Sequence, residues 1–219
     1  MAKFTDTQRE SRRQLILDAA LRCFSKNGFH NTTTADIVRE SGVSQGTLYL
    51  YFATKDDVIV ALADDRRQGD AMLNALAQGE RDPIEGLALL VELHGRSLSD
   101  PQRLDARRVG VQGWAEALRN PTVHESLVAG MAAVRREIAR LIERGRQTGQ
   151  FRAEVDPDAA ALTLIATFQG LTLQTVLGED FDLSAVGRLM RDMIRGALFT
   201  EAALAADTFH LGEPKERVL

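Results

Sequence analysis

The sequence predicts an all-α protein, and two features of the chain support that fold class. Apolar residues recur at the three- and four-residue spacing of helices along most of the 219 residues, without a competing strand alternation. Four of the five prolines follow Asp or Asn. An Asx cap followed by proline at the first helical position marks a helix start, so helices should begin near Pro83, Pro101, Pro121 and Pro157. The ranges predicted for the second part of the chain are 83–98, 101–118, 121–147, 157–178 and 183–205.

A stretch near the N-terminus has the pattern of two short helices joined by a tight turn. Thr33 and Asp36 have the spacing of a helix capping box. Gly42 stands where the first helix would end, because glycine readily takes the left-handed conformation that reverses the chain. Ser44 would cap the second helix, and Leu48 and Phe52 would lie on its buried side. This pattern predicts a helix-turn-helix.

The second short helix would present an unusual outward face of Gln45, Gly46, Thr47, Tyr49 and Tyr51. Glutamine can form a bidentate pair with adenine, and threonine can contact thymine or phosphate. Glycine lets the backbone approach closely, and tyrosine hydroxyls can hold phosphates. The face therefore suits a helix that reads DNA. The alternative is an ordinary helical hairpin with surface tyrosines.

The run Gly-Thr-Leu-Tyr-Leu-Tyr-Phe-Ala-Thr-Lys-Asp-Asp at 46–57 resembles the DNA-binding signature of the TetR family of bacterial transcriptional regulators. The upstream pairs at 28–29 and 32–33 strengthen the resemblance, which spans about residues 10–62. It implies an N-terminal three-helix DNA-binding domain followed by a C-terminal helical domain for ligand binding and dimerisation. The corresponding boundaries are 1–54 for the first domain, 55–205 for the second and 206–219 for a C-terminal tail.

The resemblance implies a near-palindromic double-stranded operator, with two recognition helices about 34–36 Å apart or somewhat more. Gln45 and Thr47 are then expected at base edges and Gly46 at the point of close approach. Two roles are open for Leu50: its side chain could contact a thymine methyl group, or it could pack against the protein. Phosphate contacts are expected mainly from the hydroxyl and ammonium groups of Thr33, Thr34, Ser44, Tyr49, Tyr51 and Lys55.

The last two long helices, 157–178 and 183–205, are apolar on more than one side, which predicts burial on two sides. The resemblance implies that they pair with a second subunit as a four-helix bundle, whereas a larger monomeric core is the alternative. It also implies a small-molecule inducer, whose identity the sequence does not contain. Candidate lining residues, for which ordinary core is the alternative, are His94, Trp114, Met131, Phe168 and Gln169.

The formal net charge is −4, but the charge is distributed unevenly along the chain, as expected if the N-terminal part binds DNA. Residues 1–55 carry more basic than acidic side chains, and the remainder carries the acidic excess. Cys23 is the only cysteine, so an intrachain disulfide is excluded and a reducing cytoplasm is expected. When bound to DNA, the protein would be associated with the nucleoid. The helical spacing of Cys23 predicts a core position, with a redox sensor as the alternative.

The chain lacks the motifs of several other functional classes. The four histidines are scattered, and the sequence has no paired-cysteine metal spacing, glycine-rich phosphate loop or nucleophile elbow. No enzyme activity, metal or cofactor is therefore expected, and apolar runs long enough for a membrane span are absent. Two alternatives remain: a helical adaptor that binds only proteins, which leaves the polar face of the second short helix unexplained, and a TetR-type regulator that activates or lacks a ligand.

Overall fold

The computed structural model describes residues 6–68, 82–179 and 181–205, and the described part is almost entirely helical. The predicted continuation of a helix from 55 to 78 lies outside the described residues beyond residue 68, as does the predicted tail 206–219. The helices in chain order are α1 (Asp6–Asn31), α2 (Thr34–Ser41), α3 (Gln45–Tyr51), α4 (Lys55–Gln68), α5 (Pro83–Ser99), α6 (Leu104–Ala117), α7 (Pro121–Gln147), α8 (Pro157–Leu177), α9 (Leu183–Leu198) and α10 (Glu201–Ala205).

Three of the four Asx-Pro pairs start helices as the sequence predicts. The Asp82 carboxylate accepts a hydrogen bond from the backbone N–H of Ile84 at 2.9 Å. Asp156 accepts one from Ala159 at 2.9 Å, and Asn120 accepts one from Val123 at 3.2 Å. These side chains satisfy N–H groups that the first helical turn leaves without a partner.

The fourth pair starts a different structure. Pro101 opens a short 3-10 turn that ends at Arg103, and α6 begins only at Leu104, without a side-chain cap from Arg103. The helix predicted from residue 101 therefore starts three residues too early. A 3-10 turn is a common way to enter an α-helix, and the Asx-Pro signal does not distinguish the two.

The prediction of one helix over 183–205 is wrong, because α9 ends at Leu198 and α10 begins at Glu201. The break follows from a tertiary contact. Phe199 is buried against Phe151, with ring centroids 5.3 Å apart. The backbone N–H of Arg152 donates to the Leu198 carbonyl at 2.8 Å, and that of Thr200 donates to the Gln150 carbonyl at 3.0 Å. These bonds hold the chain extended where periodicity predicted a helix.

The chain divides into two compact units, residues 1–67 with 102–130 and residues 68–101 with 131–219. The core of the first unit joins α1, α3 and α4 to α6 and the start of α7. Its buried members include Phe24, Leu48, Val58, Val109 and Val123. Helices from the middle of the chain thus complete the core beneath the N-terminal helices. The functional boundaries predicted at residues 54 and 205 remain predictions.

The core of the second unit forms among α5, α7, α8 and α9. Among the glycines of the described residues, Gly145 on α7 has the least room, because an added Cβ there would stand 2.2 Å from Phe151 Cδ2. Real side chains do not approach so closely, so glycine is required there. On α5, by contrast, an added Cβ at Gly95 would meet no atom within 4 Å.

We expect the same substitution at these two glycines to have opposite effects on stability. Gly145→Ala should lower the free energy of unfolding by about 1–3 kcal/mol, because the methyl group overpacks the core. Gly95→Ala should raise it by about 0.5–1 kcal/mol, because alanine is the better helix former. Thermal unfolding followed by circular dichroism measures both changes. Equal shifts in one direction would contradict the packing described for Gly145.

The sequence has no uninterrupted apolar run long enough for a membrane span. Among the described helices, however, α8 is long and apolar enough to cross a membrane by length and composition, because polar residues such as Gln169 only interrupt a mainly apolar stretch. Only 17% of its most apolar 18-residue window is buried inside the protein. Much of α8 therefore faces outward from its own unit.

Candidate nucleic-acid interface

The helix-turn-helix forms through local hydrogen bonds that the sequence predicts. The Asp36 N–H donates to Thr33 Oγ1 at 3.2 Å, and the Thr33 N–H donates to Asp36 Oδ2 at 2.9 Å, which completes the capping box of α2. Gly42 ends α2 with φ of 70°, in the left-handed region. Ser44 Oγ accepts from the Thr47 N–H at 3.1 Å and caps α3. These bonds fix the angle at which α3 leaves the turn.

The capping box depends on the ionised Asp36 carboxylate. Hydrogen bonds from Thr33, with a further contribution from Arg39, lower the pKa of Asp36 from 3.8 to about 2. A lowered pKa means that the folded state favours the ionised form. The contribution of this cap to stability is therefore fully present above pH 4 and is lost as pH falls through about 2.

The α3 helix has one buried side and one open side. Leu48 is fully buried, and Phe52 at the C-terminal cap is also buried. Gln45, Gly46 and Leu50 are exposed on the other sides of the helix. The core therefore holds α3 by a single narrow face, and the rest of its surface is available to a partner without any unfolding.

Tyr49 connects the two helices of the motif. Its hydroxyl lies 3.5 Å from Thr34 Oγ1 at the start of α2. Hydrogen bonds from Thr34 and secondarily from Gln45 lower the pKa of the Tyr49 hydroxyl. The Thr47 and Ser44 hydroxyls lie 2.8 Å apart. The polar groups predicted to meet DNA are thus already oriented by one another, which reduces the entropy that binding would cost.

Two predicted phosphate ligands lie deeper than a fully outward face implies. The Tyr51 ring is partly buried against the core, and its centroid is 6.4 Å from that of Phe52. The Lys55 ammonium donates to the carbonyl oxygens of Phe29 at 2.5 Å and Thr32 at 3.0 Å. An ammonium has three N–H donors, so one remains for a phosphate. Lys55 therefore joins the start of α4 to the end of α1.

We expect Lys55→Ala to lower the free energy of unfolding by about 1.5–3 kcal/mol, the range for hydrogen bonds to a charged group. The reason is that Phe29 and Thr32 would lose the donor that their carbonyls share. Urea unfolding followed by circular dichroism measures the change. Lys26→Ala is the matched control, because Lys26 is an exposed lysine of the same unit. Equal unfolding midpoints for the two variants would remove this structural role from Lys55.

Helix α6 and the turn after it contact the N-terminal helices through polar bonds. Ser25 Oγ donates to Asp105 Oδ1 at 2.6 Å, between α1 and α6. Asn120 Nδ2 donates to Asp56 Oδ2 at 2.9 Å, and so connects the start of α7 to α4. Sequence patterns did not identify either contact, because the partners are 80 and 64 residues apart. These bonds connect α6 and the start of α7 to α1 and α4, the helices on either side of the motif.

The cysteine of this unit has a structural position. Cys23 is buried in α1. Burial is the main cause that raises the pKa of its thiol, with the nearby Glu40 and Asp36 carboxylates contributing. Reactive cysteines are exposed thiolates with a lowered pKa. Cys23 has the opposite properties, in agreement with the predicted core position.

Four of the five predicted ligand-lining residues lie in the second unit and form two contacts. The His94 ring stacks on Phe168, with centroids 4.3 Å apart. Gln169 Nε2 donates to Met131 Sδ at 3.9 Å. Trp114 belongs to the first unit and is partly buried in α6. Among the described residues, acidic, histidine and cysteine side chains form no cluster that could hold a metal ion.

Family models match both parts of the chain. Residues 16–62 match the model described as bacterial regulatory proteins of the tetR family, and residues 88–198 match that of the BetI-type transcriptional repressor C-terminal domain. The HTH-type transcriptional regulator UidR of Escherichia coli is 29% identical over 196 residues, which are 88% of this chain and 95% of UidR.

Solved structures have a similar fold. SmeT, the repressor of a multidrug efflux pump of Stenotrophomonas maltophilia, has a TM-score of 0.73 in its complex with triclosan, with 27% identity over 94% of this chain and 100% of SmeT. A putative transcriptional regulator from Saccharomonospora viridis in complex with choline has a TM-score of 0.71, with 27% identity over 88% of this chain and 100% of that one. With its capped helix-turn-helix and its matches to both family models, the chain belongs to the TetR family of bacterial transcriptional regulators.

Proposed function

We propose that this protein is a homodimeric transcriptional repressor whose two α3 helices enter the major groove of a near-palindromic operator. The observation that carries the proposal is the open surface of α3, where Gln45, Gly46 and Leu50 are exposed while Leu48 holds the helix to the core. Such a helix can enter a groove about 12 Å wide without any rearrangement of the core. A cytoplasmic location follows, since the protein would act on chromosomal DNA.

The proposed contacts divide into base readout and phosphate binding. Gln45 and Thr47 would face base edges, with Gly46 allowing close approach. Thr33, at the start of α2, and Ser44, at the start of α3, lie at helix N-termini, where the helix dipole favours an anion. The remaining phosphate ligands would be Thr34, Tyr49 and Tyr51, with Lys55 contributing only the N–H that its two carbonyl partners leave.

A second subunit is the proposed partner of α8 and α9. Leu162 and Leu177 of α8 are 50% and 67% exposed, and Leu189 and Met193 of α9 are 62% and 64% exposed. Apolar surface of this extent favours association, and a stable interface buries on the order of 1,600 Å² in total. The exposed face of α8 also carries polar residues such as Gln174, which favour a protein partner over a lipid bilayer.

Release by a small molecule is the proposed means of regulation. The support comes from the solved relatives that hold triclosan or choline. The contacts of His94 with Phe168 and of Met131 with Gln169 bring apolar and polar groups together in the second unit, where they could line a site for a small molecule. An inducer that favours the state unable to bind DNA would weaken operator binding by a coupling energy of about 1–3 kcal/mol. Repression is preferred over activation because the C-terminal family model is that of a repressor.

Fluorescence anisotropy tests the proposal. Labelled duplexes tiled across the DNA beside the protein's own gene, and a duplex selected from a randomised library, are compared with random DNA at two salt concentrations. The proposal predicts tight, salt-sensitive binding to a selected duplex by two subunits, at least about a thousandfold stronger than to random DNA. Equal affinity for every duplex would reject sequence-specific regulation, and an absence of binding at low salt would favour the protein-binding adaptor.

A further inference from the structure

An apolar side chain stands alone on the open surface of α3. Leu50 is 84% exposed, which among the large apolar side chains of the described residues is exceeded only by Leu118 at 88%. An isolated exposed leucine is unremarkable on an ordinary surface. The proposed function, however, places α3 in the major groove, so the position of Leu50 on this helix determines which part of the DNA its side chain would contact.

The helical geometry places Leu50 at the outermost point of α3. It follows the buried Leu48 by two residues, or about 200° around the helix, so the two side chains point in nearly opposite directions. Its neighbour one turn earlier is Gly46, where an added Cβ would meet only Ser44 Oγ at 4.0 Å. The surface beside Leu50 is therefore low and unobstructed, and the backbone of α3 can approach the base edges closely enough for Leu50 to reach them.

We infer that Leu50 is a specificity-determining residue that recognises the C5-methyl group of a thymine. Thymine is the one base of unmodified DNA that offers an apolar group in the major groove, and apolar side chains distinguish it by direct contact. Gln45 would read hydrogen-bonding groups, whereas Leu50 offers a wholly apolar side chain that is larger than the methyl group of Thr47. The inference rests on the proposed function, since it requires α3 to lie in the groove.

Replacement of thymine by deoxyuridine tests the inference, because it removes only the methyl group and keeps base pairing. Each thymine of the selected duplex is replaced in turn, and anisotropy measures the affinity of the wild-type protein and of Leu50→Ala. We expect one position per half-site at which the wild-type protein loses about threefold to fivefold, the value of one buried methyl group. Leu50→Ala should bind the two duplexes equally at that position, as a double-mutant cycle requires for a direct contact.

Leu118→Ala is the matched control, because it removes an equally exposed leucine of the same unit outside α3 and should leave the deoxyuridine profile unchanged. Thermal unfolding of all three proteins shows that the fold is retained. The inference is overturned if Leu50→Ala keeps the wild-type profile, or if it weakens selected and random duplexes by the same factor. The proposed function fails separately if the wild-type protein does not prefer the selected duplex to random DNA.

Discussion

Replacement of Leu189 and Met193 by glutamate should convert the protein to a monomer and weaken operator binding by at least about a hundredfold. The two side chains lie one helical turn apart on α9 and are 62% and 64% exposed. Each would contribute about 1.5–3 kcal/mol when buried by a second subunit. A carboxylate buried there without a partner costs several kcal/mol instead. A monomer has only one helix-turn-helix, so it also loses the avidity that comes from binding two half-sites at once.

Sedimentation equilibrium gives the oligomeric state, and anisotropy on the selected duplex gives the affinity. The control is Leu118→Glu, which introduces the same charge at an exposed leucine outside α8 and α9 and should leave the dimer intact. A double variant that still sediments as a dimer would show that another surface joins the subunits. If the wild-type protein is monomeric at the concentrations at which it binds DNA, the proposal that two α3 helices of a dimer bind one operator is rejected.

Gln45→Ala should abolish much of the preference for the selected duplex. A bidentate contact with adenine is worth about 1–3 kcal/mol of discrimination, which corresponds to roughly fivefold to 150-fold in affinity. Random DNA should be bound almost as before, because phosphate contacts supply most of that affinity.

The measurement is anisotropy on selected and random duplexes, with every A·T pair of the half-site changed in turn. Gln147→Ala is a suitable control, because it removes an exposed glutamine of α7. The base assignment predicts that Gln45→Ala becomes indifferent at one A·T pair while the others keep their effect. Equal losses on both kinds of duplex would instead place Gln45 on the DNA backbone.

Local chemistry made the helix-turn-helix predictable from the sequence. The caps of α2 and α3 are formed by Thr33 with Asp36, by Gly42 and by Ser44, and each cap bonds to a residue no more than four positions away. Sequence spacing is therefore enough to predict where α2 ends and α3 begins. Leu48 and Phe52 were likewise predictable as buried contacts, because their four-residue spacing places them on one side of the helix. These are the elements for which local propensity and tertiary packing agree.

Predictions failed or stayed open where contacts between distant residues decide the structure. Phe199 interrupts a periodic helix because it packs on Phe151, which lies 48 residues earlier in the sequence. The Lys55 ammonium lies on the carbonyls of Phe29 and Thr32, and no spacing rule pairs a lysine with main-chain oxygens 26 and 23 residues away. The role of Leu50 stayed open, although its position two residues after a buried leucine was a usable signal of exposure.

The most direct test of groove recognition by α3 is a dimethyl sulfate protection experiment on the selected duplex. The reagent methylates guanine N7 in the major groove and adenine N3 in the minor groove, so one reaction reports on both. Two α3 helices in the major groove should give two clusters of protected guanines on one face of the duplex, about 10 base pairs apart or a multiple of that. Minor-groove adenines between them should stay reactive. Protection of adenine N3 in place of guanine N7, or a single protected cluster with two subunits bound, would contradict it.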